Sequence, residues 1–162
     1  MKGGFEGTVA VITGSSRGIG LGIARRFREA LARLHLVADD PAVLARAAEL
    51  EGSGAVADIS DAAQVRGALA DLDRIDVLVN NAGLELMTPV TEVGDEVLEA
   101  VRRIVTINVV GTALVTRQAV PRMAKGGAIV NTASIWGRVA ESAFDAYVAS
   151  KHAVIGLTKT WA

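Results

Sequence analysis

The chain contains no cysteine, which excludes disulfide staples and thiolate metal sites and leaves nothing that calls for an oxidising compartment. Histidine occurs twice, and no grouping of His, Asp and Glu has metal-ligand spacing, so no metal is expected. Charge of one sign is also lacking: 17 basic residues face 18 acidic ones for a net charge of −1. Without a basic excess there is nothing to hold a phosphate backbone, and a nucleic-acid partner is not expected. No uncharged apolar run reaches the ~18 residues that a membrane span needs, and residues 1–7 lack an apolar signal core. A cytoplasmic location is therefore the expectation. What remains is a chain of 162 residues, 51% apolar and 22% charged, with a mean hydropathy of +0.36. That composition excludes intrinsic disorder and suits one globular domain spanning residues 1–162.

The apolar content comes in short bursts rich in β-branched residues. They cover residues 8–13, 34–38, 54–57, 76–79 and 127–131, and each stops at glycine, aspartate, asparagine or threonine. Unbroken apolar runs, rather than alternation, predict parallel strands buried on both faces. Helical stretches lie between them. Ile19, Ile23, Phe27 and Leu31 recur every four residues and form one apolar stripe. Residues 42–50 and 61–72 read the same way, the latter with Ser60 as N-cap. Residues 92–123 predict a longer helical region broken before Asn108 and stopping near Gly126, and a last helix follows Ser142. Strands and helices thus alternate five times, which predicts an α/β fold with a doubly wound parallel sheet and right-handed crossovers. Such a sheet places its ligand outside the carboxyl ends of its strands, where the glycines and polar residues of this chain collect.

The first predicted strand runs into Thr13-Gly14-Ser15-Ser16-Arg17-Gly18-Ile19-Gly20, and a helix follows at once. Glycines at these positions permit a sharp turn, close approach of backbone amides to a pyrophosphate, and tight packing of helix on strand. The helix N-terminus adds unpaired N–H groups and partial positive charge. Dinucleotide binding is the expectation, against a merely structural turn. Asp39 ends the second predicted strand, where a carboxylate accepts hydrogen bonds from the adenosine ribose hydroxyls. A 2′-phosphate there would face it at about 4 kcal/mol per unit charge pair at an effective dielectric near 20. Arg17 opposes that preference, since its guanidinium can pair with the phosphate. The balance favours NAD over NADP; the plain alternative is that Asp39 or Asp40 begins a turn ahead of Pro41.

Tyr147 and Lys151 are four residues apart and share one face of the last predicted helix. A phenol with its ordinary pKa near 10 is a poor base at neutral pH, and an adjacent ammonium favours its ionised form. Ser134 stands at a strand end 13 residues before Tyr147. His35, inside a predicted strand, reads as a packed core histidine, and His152 has no assigned role.

Together these motifs resemble the short-chain dehydrogenase/reductase family of the ordinary type, over nearly the whole chain from residue 8 to 162. Its cofactor loop matches Thr13-Gly14-x-x-x-Gly18-x-Gly20, its motif after the fourth strand matches Asn80-Asn81-Ala82-Gly83, and Asn108, Ser134, Tyr147 and Lys151 match its catalytic tetrad. The resemblance implies a Rossmann-type fold and an NAD(P)-dependent oxidoreductase that interconverts a secondary alcohol and a ketone. Tyr147 would move the proton at the substrate oxygen. Lys151 would lower the Tyr147 pKa and bond the nicotinamide ribose, Ser134 would hydrogen-bond the substrate oxygen, and Asn108 would hold a relay water. The cofactor would lie on Gly14, Ser16, Arg17, Gly18, Ile19 and Gly20. Asp39, Asp58 at the adenine amino group, Ile59, Asn80, Ala82, Gly83, Tyr147 and Lys151 complete the implied contacts. Trp136, Glu85 and Leu86 are candidates for the substrate wall.

Two departures stand out. Residues 27–37 lack the glycine usual before the second strand, so a helix-to-strand turn of another type is expected. The family also continues beyond the position of Ala162 with further strands and a loop that closes over substrate, so the chain is expected to be C-terminally incomplete. The resemblance further implies a homodimer or homotetramer for the full-length form, built on residues 92–123 and the Tyr147 helix. Two alternatives stay open: a dinucleotide-binding protein without turnover, and a 3-oxoacyl-thioester reductase.

Overall fold

The computed structural model describes residues 4–162. Five strands form the sheet: β1 (Val9–Thr13), β2 (Arg33–Ala38), β3 (Ser53–Val56), β4 (Ile75–Asn80) and β5 (Met123–Asn131). Their spatial order is β3-β2-β1-β4-β5 and every pairing is parallel. The connecting helices are α1 (Gly18–Glu29), α2 (Ala42–Glu49), α3 (Ala62–Ala68), α4 (Asp95–Val105), α5 (Thr112–Ala119) and, after β5, α6 (Asp145–Trp161). The strand order reverses between β1 and β4, and such a switch point opens a crevice beyond the strand ends. The fold is the expected Rossmann-type doubly wound sheet.

Successive side chains of a strand point to opposite faces, and the core divides accordingly. Ala10, Ile12, Leu34, Leu36, Val77 and Val79 meet Ala24 of α1 and Val43 and Ala47 of α2. Val11, Val37, Ile75 and Leu78 meet Val65, Leu69, Val115 and Ala119 on the other side. His35 is the packed histidine that its place in β2 predicts: Nε2 donates to the Ala68 carbonyl at 2.8 Å and Nδ1 lies 2.8 Å from Ser53 Oγ. Among the described residues no helix is long and apolar enough to cross a membrane.

The structure corrects several local expectations. β3 and β5 flank the central three strands and are more exposed than they are, so neither shows the burial on both faces that their composition predicts. The stripe on α1 holds in its middle, where Ile23 and Phe27 pack against the core beside the buried Gly20, Leu21 and Ala24, but not at its ends, where Ile19 is 70% and Leu31 49% exposed. Ile19 lies in the first turn, at the crevice mouth, and Leu31 lies past the helix end. α3 is capped by Asp61, whose Oδ1 accepts from Ala63 and Gln64 N–H, while Ser60 donates its hydroxyl to Asp58. The break expected before Asn108 is a π-helical segment, Thr106–Gly111, which contains Asn108. The helical region ends earlier than Gly126, because β5 already begins at Met123 and shifts register against β4. The turn before β2 is also not of another type. Leu31 takes φ +68°, its N–H bonds the Arg28 carbonyl at 2.9 Å, and Ala32 N–H bonds the Phe27 carbonyl at 3.0 Å. That is the left-handed helix ending usually made with glycine, here held by a leucine at a conformational cost of about 1–2 kcal/mol.

Candidate active site

The loops after β1 and β4 meet at the switch point, and Thr13 joins them. Its hydroxyl accepts from the N–H of Asn81 and of Ala82, at 3.0 and 3.1 Å. Asn81 answers by donating Nδ2 to the Thr13 and Gly14 carbonyls, each at 3.2 Å. The approach is close enough to require glycine. A Cβ on Gly14, already at φ +64°, would fall 2.7 Å from Ala82 Cα, and one on Gly20 would overlap the Gly14 carbonyl. Gly18, at φ +56°, opens α1 with nothing within 4 Å of its Cβ direction. Arg17 stands at the N-cap without a side-chain hydrogen bond to the helix, and the first turn carries no acidic residue. The N-terminal amides of α1 therefore have no anionic side chain to satisfy them, and an open glycine-lined cradle lies in front of them. These residues fit a pyrophosphate.

The cradle continues directly into the second cluster. A Cβ on Gly83, next to Ala82, would lie 3.6 Å from Lys151 Nζ and 3.2 Å from Asn108 Oδ1. Asn108 is 1% exposed, and its side chain makes three bonds: Oδ1 accepts from Leu84 N–H at 2.7 Å, and Nδ2 donates to the Leu84 carbonyl and to Ser150 Oγ, each at 2.9 Å. It clamps the loop after β4 onto α6. Lys151, 5% exposed, donates Nζ to the Thr132 carbonyl at 2.9 Å and lies 5.5 Å from the centroid of the Tyr147 ring.

Burial pushes the Tyr147 phenol up from its ordinary pKa; the hydrogen bond with Ser134 pulls it down, and the negative charge of Glu85 adds to the rise. Burial lowers the Lys151 pKa and Glu85 opposes that shift. Trp136 packs edge-on to Tyr147, with ring centroids 5.9 Å apart, and against Phe144 at 4.9 Å. The cluster can therefore present a neutral phenol and a serine hydroxyl side by side, next to a buried cation.

The structure brings Gly14, Gly18, Gly20, Ala82, Gly83, Asn108, Ser134, Tyr147 and Lys151 into one continuous crevice. Asp39 follows β2 directly and is exposed at the same edge, while Asp40, rather than Asp39, caps the turn by accepting from Ala42 N–H. Asp58 lies two residues past β3, with Oδ1 holding Ser60 through its N–H and hydroxyl at 2.8 and 2.7 Å. Ile59 and Asn80 are placed differently from the expectation. The Ile59 side chain is in the core against Gly111, and Asn80 Nδ2 is bound to Thr116 and Asn131, so neither side chain faces the cradle. Ser16 is buried and Arg17 exposed. Leu86 lies over α4, lining a surface groove with Glu96, Glu99 and Arg103, whereas Glu85 acts on Tyr147 and Lys151. Sequence reasoning missed the bracing by Thr13, Asn81 and Thr132, for which only their place at strand ends was a signal. It also missed Thr88, whose hydroxyl bonds Asp145 and whose N–H bonds the Ala143 carbonyl at 2.7 Å, fastening the loop to the start of α6.

Comparison with known proteins gives the family. The sequence profile of the family described as short chain dehydrogenase matches residues 8–162. A D-beta-hydroxybutyrate dehydrogenase of Cupriavidus necator is 35% identical, with 98% of this chain aligned to 65% of that one. A sorbitol dehydrogenase of Cereibacter sphaeroides is 41% identical, over 96% of this chain and 64% of its own. A short chain dehydrogenase/reductase from Burkholderia phymatum, solved in complex with NAD, superimposes with a TM-score of 0.86 at 33% identity over 97% of this chain and 59% of its own. The chain spans about two thirds of the length of the curated relatives it matches. It belongs to the short-chain dehydrogenase family.

Proposed function

We propose that this protein is an NAD-dependent oxidoreductase interconverting a secondary alcohol and a ketone. One observation carries the reading: the Ala82-Gly83 backbone joins the glycine cradle to Lys151, so a dinucleotide held at α1 would end beside Tyr147 and Ser134. The pyrophosphate would rest on the amides of Gly18–Gly20 and the adenosine ribose would meet Asp39. The solved relative from Burkholderia phymatum, which holds NAD, supports the choice of cofactor class. Asp39 favours NAD over NADP, because a 2′-phosphate would meet its charge. When bound, the nicotinamide supplies or accepts the hydride.

The chain's own residues handle the oxygen. Tyr147 gives a proton to the oxygen in reduction and takes it in oxidation. Ser134 donates a hydrogen bond to the same oxygen, and it also favours ionisation of the neighbouring phenol. Lys151 places positive charge beside the phenol and stabilises the phenolate as it forms. Asn108 keeps the Leu84 backbone, and with it Gly83, against Lys151. Relatives act on substrates as different as a hydroxy acid and a polyol by their names, so the substrate class has to come from the site. Leu98, Val105 and Val110 are exposed along α4 and the π-helical segment, which supports assembly with a second copy.

Replacing Tyr147 with phenylalanine keeps the ring against Trp136 and removes only the hydroxyl. NAD affinity should stay within about twofold, while NADH formation from a panel of secondary alcohols falls by about 10²- to 10⁴-fold. Near-native turnover in Tyr147→Phe would overturn the assignment, and tight NAD binding without turnover in the native protein would leave a binding protein in its place.

A further inference from the structure

Tyr147 stands in the first turn of α6, where backbone amides lack partners within the helix. The first helical bond runs from Val148 N–H to the Phe144 carbonyl at 2.8 Å, so the amides before it depend on other acceptors. The residue at the cap position is Phe144, whose side chain accepts nothing. The cap comes instead from Thr88, in the loop between β4 and α4 and 1% exposed. Its hydroxyl accepts from Ala146 N–H at 3.2 Å and donates to Asp145 Oδ1, which also takes the Ala146 N–H at 2.7 Å. The Thr88 N–H bonds the Ala143 carbonyl at 2.7 Å and so grips the chain on the other side of Phe144. Ala143 has φ +61°, a left-handed conformation that residues other than glycine rarely adopt. Thr88 therefore holds both sides of the helix start. Between them Phe144 rests its ring on Trp136, which meets Tyr147 edge-on.

We propose that Thr88 is a positioning residue: it caps α6 from outside the helix and thereby holds the Tyr147 hydroxyl at the reacting oxygen. The inference rests on the proposed oxidoreductase function and deepens it by naming what fixes the acid/base. A helix start without its cap is less stable, and a first turn opens at little cost. Such fraying would take the phenol away from Ser134 and admit water around it. Proton transfer needs tight placement, and a misplacement of about 1 Å costs on the order of 10²-fold in rate. Asp145 cannot supply that placement alone, since its carboxylate belongs to the turn it bonds and moves with it. Thr88 belongs to a loop that Asn108 fastens at Leu84, beside the Gly83 backbone that faces Lys151. One frame thus sets both the phenol and the path along the cradle.

Thr88→Val keeps the shape of the buried side chain and its N–H bond to Ala143, and removes only the hydroxyl; Thr88→Ser restores one. With NAD and a panel of secondary alcohols, kcat should fall about tenfold or more in Thr88→Val while NAD affinity stays within about twofold. Thr88→Ser should stay within about threefold of native. Should the valine variant fail to fold, Asp145→Ala, at an exposed position, removes the hydroxyl's partner instead and should give the same loss. Tyr147 is the only tyrosine in the chain, so phenolate absorbance reads it with no cofactor and no turnover. That titration is run in the Asp145→Asn background, which keeps an oxygen for both bonds and frees no charge. Burial holds the phenol above its ordinary value, and the charges of Glu85 and Lys151 beside it are untouched. Adding Thr88→Val should therefore lower the midpoint by at least about half a pH unit. Native kcat in Thr88→Val, an equal loss of kcat and NAD affinity, or a loss that serine does not rescue overturns the positioning role. If the native protein turns over none of the alcohols, the proposed function fails for this class and the titration decides Thr88 alone: a lowered midpoint supports its hold on Tyr147 and an unmoved one overturns it.

Discussion

Two glycines two residues apart in α1 should answer the same substitution with opposite signs. Gly20 faces the loop: an added Cβ would overlap the Gly14 carbonyl oxygen and come within 2.6 Å of Asn81 Nδ2. Gly14 is part of the β1 turn and Asn81 is held by its bonds to the Thr13 and Gly14 carbonyls, so neither can withdraw easily. Forcing a methyl into such a site costs about 1–3 kcal/mol. Gly22 is exposed and helical, with nothing within 4 Å of its Cβ direction. Alanine there restricts the unfolded chain and should stabilise by about 0.5–1 kcal/mol. With a urea m-value of about 2 kcal/mol/M, Gly22→Ala should raise the unfolding midpoint by ~0.3–0.5 M and Gly20→Ala should lower it by ~0.5–1.5 M. NAD affinity, followed in the same variants by calorimetry, should collapse for Gly20→Ala and hold for Gly22→Ala. Shifts of the same sign in both variants, or full NAD affinity in Gly20→Ala, would refute the close-packed cradle.

The remaining predictions concern other single groups. Asn108→Ala removes the bonds to Leu84 N–H, the Leu84 carbonyl and Ser150, and the stranded partners should cost about 3 kcal/mol in urea unfolding, with a looser loop readable by amide exchange at Leu84. Asp39→Ala should narrow the difference between NAD and NADP affinity in a fluorescence titration; an unchanged ratio would place the ribose elsewhere. Burial holds the His35 pKa below 6.5, against the opposing effects of its bond to Ala68 and the charge of Asp71. The unfolded chain therefore takes up a proton first as pH falls. Stability is held above about pH 6.5 and lost below it, toward the folded pKa, at no more than about 1.4 kcal/mol per pH unit. Unfolding curves at several pH values should show this slope, and His35→Gln should abolish it.

The sequence by itself determined the alternation of buried strands and helices, the glycine cradle, and the pairing of Tyr147 with Lys151. These features are local: a continuous apolar run, a turn that only glycine can make, and a spacing of four on one helix each leave a direct trace in neighbouring residues. Tertiary structure decided what depends on partners distant in the chain. Ile19 fits a helical stripe but turns outward, since α1 begins only one residue before it. Leu31 forms a left-handed turn without glycine because Arg28 and Phe27 supply both hydrogen bonds and the surrounding packing outweighs the strain. The clamp of Asn108 on Leu84, 24 residues away, and the direction of Lys151 toward Thr132 were likewise invisible, as was the action of Glu85 on Tyr147. A side chain's chemistry can be read from its type, but which groups desolvate it, bond it or charge its surroundings is settled only when distant segments pack together.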